Sequence, residues 1–428
     1  MTKRTYSKSF ELMVEERLFF AICKRILSTF EGNGKKPISL ILYIARVLDR
    51  PIAYFARKLL TRNVSVDRQT VIFIPYQGTY ACNPRAIADE LLRRRLPYRL
   101  IWTTTKEVDY SLYPQGLEIV KRGTFRFYEA LAQAKIIIEN SQMLERKKTS
   151  KRSGQILIQT WHGSLGIKFL DGRMNPNNKG NQLVRRCSRE TDFCISNSTF
   201  ETDVYHTSYW PGVSILQYGH PRNDIFLSNS DNQHMQIESN VRCFLNIPPD
   251  TRIALYAPTH NDREHEHLFQ LDYAGVRRAL TKRFGGMWII AVRLHSRLQK
   301  FEDRWLMDVP PFVYNVTQYA DIQDLMIAAE VGFTDYSSWI FDFLLLKRPG
   351  FIVADEEAIY TEKRSFYYPL ESTPFPISRD SSELIRNIEN FDQEAYLLKV
   401  AEFLEEKGCI EDGHASERVV DKIRELTR

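Results

Sequence analysis

A short polar turn between an apolar strand and an apolar helix carries the strongest chemical signal in the chain. It contains four residues that favour the start of a helix, namely Thr334, Asp335, Ser337 and Ser338. The first backbone N–H groups of a helix have no intrahelical partner, and the helix dipole places partial positive charge there. Hydroxyls and amides at such a turn can bind phosphate. An ordinary capped helix after a buried strand would carry the same residues, so the turn alone leaves both interpretations open.

Three more polar turns follow apolar strands. The first of these turns contains His162, and histidine is the side chain best suited to accept a proton near neutral pH. Arg293 and His295 follow another, and a cation beside an imidazole suits phosphate binding. Arg222 lies in the third, where a guanidinium could bind phosphate. Each turn also has a purely structural interpretation. His162 could be a packed histidine, Arg293 and His295 could lie in a surface loop, and the glycine and proline near Arg222 could simply form a turn.

Metal chemistry is not indicated. His260, His265 and His267 lie close together, but in a long charged stretch that is typical of a solvated loop. The six cysteines are scattered and form no Cys-x-x-Cys pair, so neither a zinc knuckle nor a disulfide framework is predicted. No carboxylate pair requires a metal. We therefore expect neither a metal nor a cofactor. We expect the cysteines to be free thiols in a reducing cytoplasm.

The elements that must position these turns alternate between strand and helix. Strands are predicted near 70–76, 98–103, 116–120, 136–140, 156–160 and 192–196, with helices near 84–94 and 124–134. After a polar stretch at 228–236, predicted to be a loop, strands recur at 253–257, 288–292, 313–315, 330–334 and 350–353. This alternation predicts an α/β protein with two Rossmann-type domains facing a cleft. Ligands of such sheets bind at the carboxyl ends of the strands, where the polar turns lie.

The predicted domains are 66–235 and 245–400, followed by a helical tail at 401–428 and preceded by a basic segment at 1–65.

The net charge of +6 is modest and does not call for nucleic acid. Residues 1–62 hold 13 Lys and Arg against 5 Asp and Glu, and show two amphipathic helices at 7–30 and 38–61. Basic amphipathic helices can bind an anionic membrane surface, although both could instead pack on the body of the protein. No apolar run is long enough for a transmembrane helix, and no signal peptide is evident.

Several motifs occur together in a characteristic order. They are Gly78-Thr79-Tyr80 with Asn83-Pro84-Arg85, Val120–Thr124, Ala134-Lys135 with Asn140, Gln159–Gly163 with Lys168, Gly219–Asp224, Tyr256–Thr259, His295, Asp321-Ile322, and Thr334–Ser338 with Phe341-Asp342. This set resembles the CDP-glycerol glycerophosphotransferase family, which makes teichoic acids and related capsular polymers. The resemblance covers about residues 70 to 370 and is far more specific than any single turn.

The resemblance implies a GT-B fold with the active site between the two domains. It implies an enzyme that transfers glycerol phosphate, or a related polyol phosphate, from a CDP-activated donor to an acceptor hydroxyl and releases CMP. The acceptor would be lipid-linked or polymeric. The protein would be peripheral on the cytoplasmic face of the cell membrane, with the N-terminal helices on the anionic surface.

Residue roles follow from the same resemblance. His162 would take the proton of the acceptor hydroxyl, and His295 would hydrogen-bond the donor phosphates. The donor-phosphate residues would be Arg293, His295, Thr334, Ser337 and Ser338. Further cleft residues would be Lys168, Arg222, Asn223, Asp335 and Asp342.

Two departures leave the donor open. The family usually has an aromatic residue and an arginine after the Pro258-Thr259 pair, where this chain has His260-Asn261, and a Gly-Tyr-type loop where this chain has Thr361–Tyr368. CDP-ribitol is therefore an alternative donor. A GT-B glycosyltransferase using a nucleotide sugar is a second alternative, and a non-catalytic membrane scaffold is a third, disfavoured because His162 and His295 are both present. The sequence does not distinguish a primase from a polymerase, nor does it identify the polymer or the oligomeric state.

Overall fold

The computed structural model describes residue 61 and residues 63–141, 151–166, 187–228, 231–258, 271–294, 309–335, 337–353 and 367–428. The helices predicted at 7–30 and 38–61 lie outside these residues except for Thr61, and so do Lys168 and His295. The chain divides into two compact units, Met1–Val64 and Ser65–Arg428, and every element below belongs to the second. Within the described ranges, no helix combines the length and apolar character needed to cross a membrane.

The first sheet is fully parallel. Among the described residues it has seven strands: β1 Asp67–Ile74, β2 Arg99–Thr104, β3 Leu117–Lys121, β4 Ala134–Glu139, β5 Ile156–Gln159, β6 Phe193–Ser196 and β7 Ser214–Gln217. Their order is β3-β2-β1-β4-β5-β6-β7. The last five residues of β1 are all buried, as expected for a central parallel strand covered by helices on both faces.

The second sheet repeats this arrangement. Its six strands in the described ranges are β8 Arg252–Tyr256, β9 Trp288–Val292, β10 Val313–Asn315, β11 Val331–Thr334, β12 Gly350–Val353 and β13 Ile377–Ser378. Their order is β10-β9-β8-β11-β12-β13, again with parallel pairing. In both sheets the strand order reverses beside the first strand, between β1 and β4 and between β8 and β11. Such switch points open a crevice at the carboxyl ends of the strands.

Helices connect the strands and cover the sheets. Those described around the first sheet are α1 Cys82–Arg93, α2 Phe125–Gln133, α3 Thr199–Val204 and α4 Asp224–Leu227. Those that follow are α5 Asp231–Leu245, α6 Tyr273–Phe284, α7 Ile322–Ala328, α8 Trp339–Phe343, α9 Ser381–Glu389, α10 Gln393–Glu406 and α11 Ala415–Thr427. The two-sheet α/β architecture predicted from the sequence is confirmed, and each predicted strand overlaps an observed one.

The loop predicted at 228–236 is wrong from Asp231 onward, because α5 begins there. This helix buries Ile237, Val241 and Leu245, which recur at helical spacing, but its first turn is polar and resembles a linker. The predicted domain borders at 235 and 400 both fall inside helices, α5 and α10. Strands β7 and β13 were not predicted, because β7 is only partly buried and β13 has two residues.

The last helix returns to the first sheet. Val419, Val420 and Ile423 of α11 are buried in the same core cluster as Val71 and Phe73 of β1. Residues 415–427 are therefore not a separate tail: they complete the core under the first sheet after the second sheet has been built. The predicted tail does form helices, but one of them covers a sheet that began more than three hundred residues earlier in the chain.

Replacing Ile423 by alanine should lower the free energy of unfolding by about 2–4 kcal/mol, because the fully buried side chain would leave a cavity. Leu398→Ala is the control: Leu398 is 67% exposed on α10, and its truncation should change stability by no more than about 0.5 kcal/mol. Urea unfolding measures both. Equal unfolding midpoints for Ile423→Ala and the wild type would contradict the docking of α11 on the first sheet.

Candidate active site

A cleft of about 430 Å³ lies where the carboxyl ends of the two sheets meet. Residues that follow β1, β4 and β5 line one side, among them Tyr76, Asn140 and His162. Residues that follow β8, β9, β10 and β11 line the other, including Pro258, Arg293, Gln318, Ser337 and Ser338. The cleft therefore lies at the switch points of both sheets, which is the position that this topology favours for a ligand.

His162 is exposed in the cleft, and its Nδ1 is hydrogen-bonded to the backbone. Its Nδ1 lies 2.6 Å from the carbonyl oxygen of Asn140, which can only accept, so Nδ1 donates. In the neutral imidazole the lone pair is then on Nε2, the tautomer that a proton acceptor requires. The ring lies against Trp161, with centroids 4.3 Å apart, and stacks on Tyr76 at 6.1 Å. The histidine is thus fixed in both tautomer and orientation.

The backbone around this histidine is strained and held by a buried amide. Trp161 has a φ of 50°, in the left-handed region that side chains rarely adopt. The side-chain amide nitrogen of Asn83 donates to the carbonyls of Thr160 at 3.0 Å and of Trp161 at 3.2 Å. Asn83 is fully buried at the start of α1. Strain of this kind persists only where the surroundings fix the backbone, and here Asn83 contributes to doing so.

The serine turn opposite is positioned by one carbonyl group. The hydroxyl of Thr334 donates to the carbonyl oxygen of Ala257 at 2.7 Å, and the indole N–H of Trp339 donates to the same oxygen at 2.8 Å. These bonds fix the turn between β11 and α8 against the end of β8. Ser338 is the residue before α8, yet its side chain makes no capping hydrogen bond. This observation disfavours the ordinary N-cap interpretation for Ser338 and leaves its hydroxyl in the cleft wall.

Arg293 places a guanidinium in the cleft wall beside the end of β9. Its Nη1 donates to the carbonyl of Tyr319 at 2.7 Å and its Nη2 to that of Ala320 at 3.3 Å. Burial lowers the pKa of Arg293, and the nearby carboxylates of Asp321 and Asp324 oppose that change. The cation therefore holds the loop after β10 while adding positive charge to the side of the cleft that contains the serine turn.

The chain is similar to known proteins over most of its length. The chain matches the model of the family described as CDP-Glycerol:Poly(glycerophosphate) glycerophosphotransferase over residues 52–425. It belongs to this family. The chain is 28% identical to the teichoic acid poly(glycerol phosphate) polymerase of Bacillus subtilis (strain 168), over 94% of this chain and 55% of that protein. The chain thus spans about half the length of that polymerase.

Two further matches cover nearly the whole length of both this chain and the matched protein. The teichoic acid glycerol-phosphate transferase of Staphylococcus aureus (strain NCTC 8325 / PS 47) is 28% identical over 89% of this chain and 98% of its own length. The solved structure of the wall teichoic acid polymerase TagF is 26% identical, with a TM-score of 0.73, over 92% of this chain and 98% of that one. The GT-B-like fold predicted from the motifs is thereby confirmed for this glycerophosphotransferase family member.

The structure brings most of the predicted site residues together. Those that line the cleft are His162, Arg222, Arg293, Ser337, Ser338 and Asp342. Thr334 is buried behind the serine turn, Asp335 is half-buried within it, and Asn223 is buried behind Arg222. His295 and Lys168 lie outside the described residues. Within the described ranges no group of three or more His, Cys, Asp or Glu side chains is arranged to hold a metal ion.

Arg222 and Asn223 both contact Asp342 on α8. Nε of Arg222 lies 2.8 Å from Oδ2 of this carboxylate, and Nδ2 of Asn223 lies 3.2 Å from Oδ1. All three side chains are buried. Because the guanidinium is already paired with a carboxylate, its contacts favour a link between the two halves over direct phosphate binding.

Sequence reasoning missed the residues behind the cleft wall. Asn83 occurs in a family motif, but nothing local indicates that its amide holds the histidine loop. Glu411 lies in the predicted tail, yet its carboxylate accepts from the side-chain amides of Asn223 at 2.8 Å and Asn197 at 3.1 Å and from the backbone N–H of His220 at 3.1 Å. These contacts connect residues far apart in sequence, so no spacing rule could have revealed them.

Burial raises the pKa of Glu411 from 4.5 to about 7, while His220 and the amide of Asn223 oppose this change. The folded protein thus holds this proton more tightly than the unfolded chain. The stabilisation is fully present below pH 4.5 and is lost as the pH rises through 7, by about 1.4 kcal/mol for each pH unit between these two values. Glu411→Gln should remove this slope. Urea unfolding between pH 4.5 and 8 measures it, and parallel pH dependences for the variant and the wild type would contradict the assignment.

Proposed function

We propose that this protein transfers a polyol phosphate, with glycerol phosphate first, from a CDP-activated donor to an acceptor hydroxyl and releases CMP, in the synthesis of a teichoic-acid-like or capsular polymer. One observation carries the proposal: a histidine whose Nδ1 is hydrogen-bonded to a backbone carbonyl lies in the same cleft as a serine turn and a guanidinium. Membership of the glycerophosphotransferase family supports the same chemistry. A TagF structure soaked with CDPG supports CDP-glycerol as the donor.

These positions support the following chemistry. The acceptor oxygen attacks the β-phosphorus of the donor, Nε2 of His162 takes the hydroxyl proton, and the bond between this phosphorus and the bridging oxygen breaks to release CMP. Arg293, Ser337 and Ser338 hold the donor phosphates, and His295 shares this role. Thr334 and Asp335 shape the turn, and Lys168 is a further candidate for substrate binding. Phosphoryl transfer depends mainly on positioning and charge stabilisation, so fixed donors and one base suffice.

A donor panel tests the proposal. The protein is incubated with CDP-glycerol, CDP-ribitol and UDP-sugars, together with a lipid-linked acceptor, and the products are analysed by mass spectrometry. CMP and an acceptor heavier by one glycerol phosphate are expected. Extension by ribitol phosphate alone would replace the donor but keep the reaction. Consumption of UDP-sugars alone would make the protein a glycosyltransferase, and no turnover of any donor would favour a scaffold.

His162→Ala should lower turnover about 10²- to 10⁴-fold, because a general base contributes a factor of that size, while the affinity for CDP-glycerol stays nearly unchanged. His234→Ala is the matched control. This histidine bonds the carbonyl of Ile225 and does not line the cleft, so its removal should leave turnover unchanged. Turnover is measured by CMP release and affinity by calorimetry. Much weaker donor binding by His162→Ala at unchanged turnover would make the histidine a donor ligand instead.

We also propose that the protein acts at the cytoplasmic face of the membrane, with the basic segment 1–65 on the anionic surface and a lipid-linked acceptor within reach of the cleft. The charge excess of 1–62 supports this, since each Lys or Arg near such a surface contributes about 1 kcal/mol. A chain beginning at Ser65 should no longer sediment with anionic liposomes, yet should remain active on short soluble acceptors. Sedimentation of the full chain should weaken as salt rises. Undiminished liposome binding by the shortened chain would assign the membrane surface to another segment.

A further inference from the structure

A buried arginine connects the two walls of the cleft. Arg222 lies in a one-turn 3₁₀ helix, Pro221–Asn223, after β7 and is 5% exposed. Its partner Asp342 is 3% exposed and belongs to α8, the helix that begins directly after Ser338. Charges at this depth are tolerated only when close partners compensate for their lost hydration. The pair therefore fixes the position of the serine turn relative to the loop after β7.

The same arginine holds the backbone that carries the histidine. Nη2 of Arg222 donates to the carbonyl oxygen of Gly163, the residue after the histidine. Its backbone N–H donates to Oδ1 of Asn83 at 3.1 Å, and Nδ2 of Asn83 donates to the carbonyls of Thr160 and Trp161. Carbonyl groups on both sides of the histidine are thus held by the buried side chains of Arg222 and Asn83, and the backbone of Arg222 is itself hydrogen-bonded to Asn83.

The directions of these bonds explain why an arginine occupies this position. The planar guanidinium donates from Nε toward Asp342 and from Nη2 toward Gly163, so one rigid group sets the separation of the two walls. A lysine has the same charge but no pair of donors in a fixed plane. The remaining nitrogen, Nη1, lies 3.8 Å from the sulfur of Cys82. A donor phosphate could bind Nε only by displacing the buried carboxylate.

We infer that Arg222 is a positioning residue for the proposed transfer, acting with Asn83 to set the separation between His162 and the donor phosphates at Ser337 and Ser338. The inference rests on the proposed function. Reacting atoms must be held about 3–3.5 Å apart in line, and a misplacement of about 1 Å can cost 100-fold in rate. Because Nε and Nη2 of Arg222 are engaged by Asp342 and Gly163, this link controls turnover through the position of the cleft walls, without contributing to donor affinity.

Arg222→Lys tests this role, with donor binding and CMP release measured on the full chain. We expect kcat to fall about 100-fold while the Kd for CDP-glycerol stays within twofold. The number of donor-binding sites is counted by calorimetry, and kcat is expressed per site, so misfolded molecules do not contribute. Asn83→Ala leaves the Arg222–Asp342 pair in place and should lower kcat in the same direction at unchanged Kd. If calorimetry detects no donor-binding sites in Arg222→Lys, the kcat of Asn83→Ala is used to test the inference.

Arg348→Lys is the matched control. Nη1 of Arg348 donates to the carbonyls of Ile327 and Ala329 at 2.6 Å each, just before β12, at the end of the second sheet away from the cleft. This variant should keep kcat per site within twofold, and an equal loss there would overturn the inference. Weaker donor binding at unchanged kcat in Arg222→Lys would also overturn the inference. The same holds for a wild-type kcat in Arg222→Lys or, if that variant has no countable sites, in Asn83→Ala. Wild-type protein that neither binds nor turns over CDP-glycerol or CDP-ribitol would instead overturn the proposed function.

Discussion

The burial of a guanidinium and a carboxylate between the two sheets is the constraint that orders the rest of the molecule. Arg222 comes from the loop after β7 and Asp342 from α8, 120 residues later. A buried pair of this kind need not be more stabilising than apolar packing, but separating its members costs about 3–5 kcal/mol, because each would be left unpaired. The two halves must therefore meet in one relative position. In that position the histidine loop lies opposite the serine turn.

The C-terminal segment completes the same arrangement from behind. After α10 the chain turns back at Glu411, whose carboxylate accepts from Asn223 and Asn197, and α11 then covers the first sheet. Asn223 also contacts Asp342, so the returning segment and α8 share one amide. The cleft wall thus depends on residues from Asn83 to Glu411. The fold brings them together only once both sheets and the last helix are in place.

Local patterns explain which features the sequence predicts. Buried parallel strands are short continuous apolar runs, as at Ile136–Ile138, and their positions were predicted closely. His162 and the serines were found because each follows such a run. The polar start of α5 resembled a linker, and its buried positions become clear only beyond that turn. Contacts such as that of Arg222 with Asn83, 139 residues apart, leave no mark on spacing or composition and required the structure.

The ionic links between the two halves differ in burial and therefore in their response to solvent. At the outer link, the side chain of Arg85 is 29% exposed and lies 3.0 Å from both Asp321 and Asp324. Burial raises the pKa of Asp324 to about 6 against the attraction of Arg85, so its charge changes in the mildly acidic range, and salt screens a partly exposed pair. The inner pair, Arg222 with Asp342, is shielded from solvent. The outer link is thus sensitive to mildly acidic pH and to salt, while the inner pair is shielded from both and keeps the histidine loop opposite the serine turn.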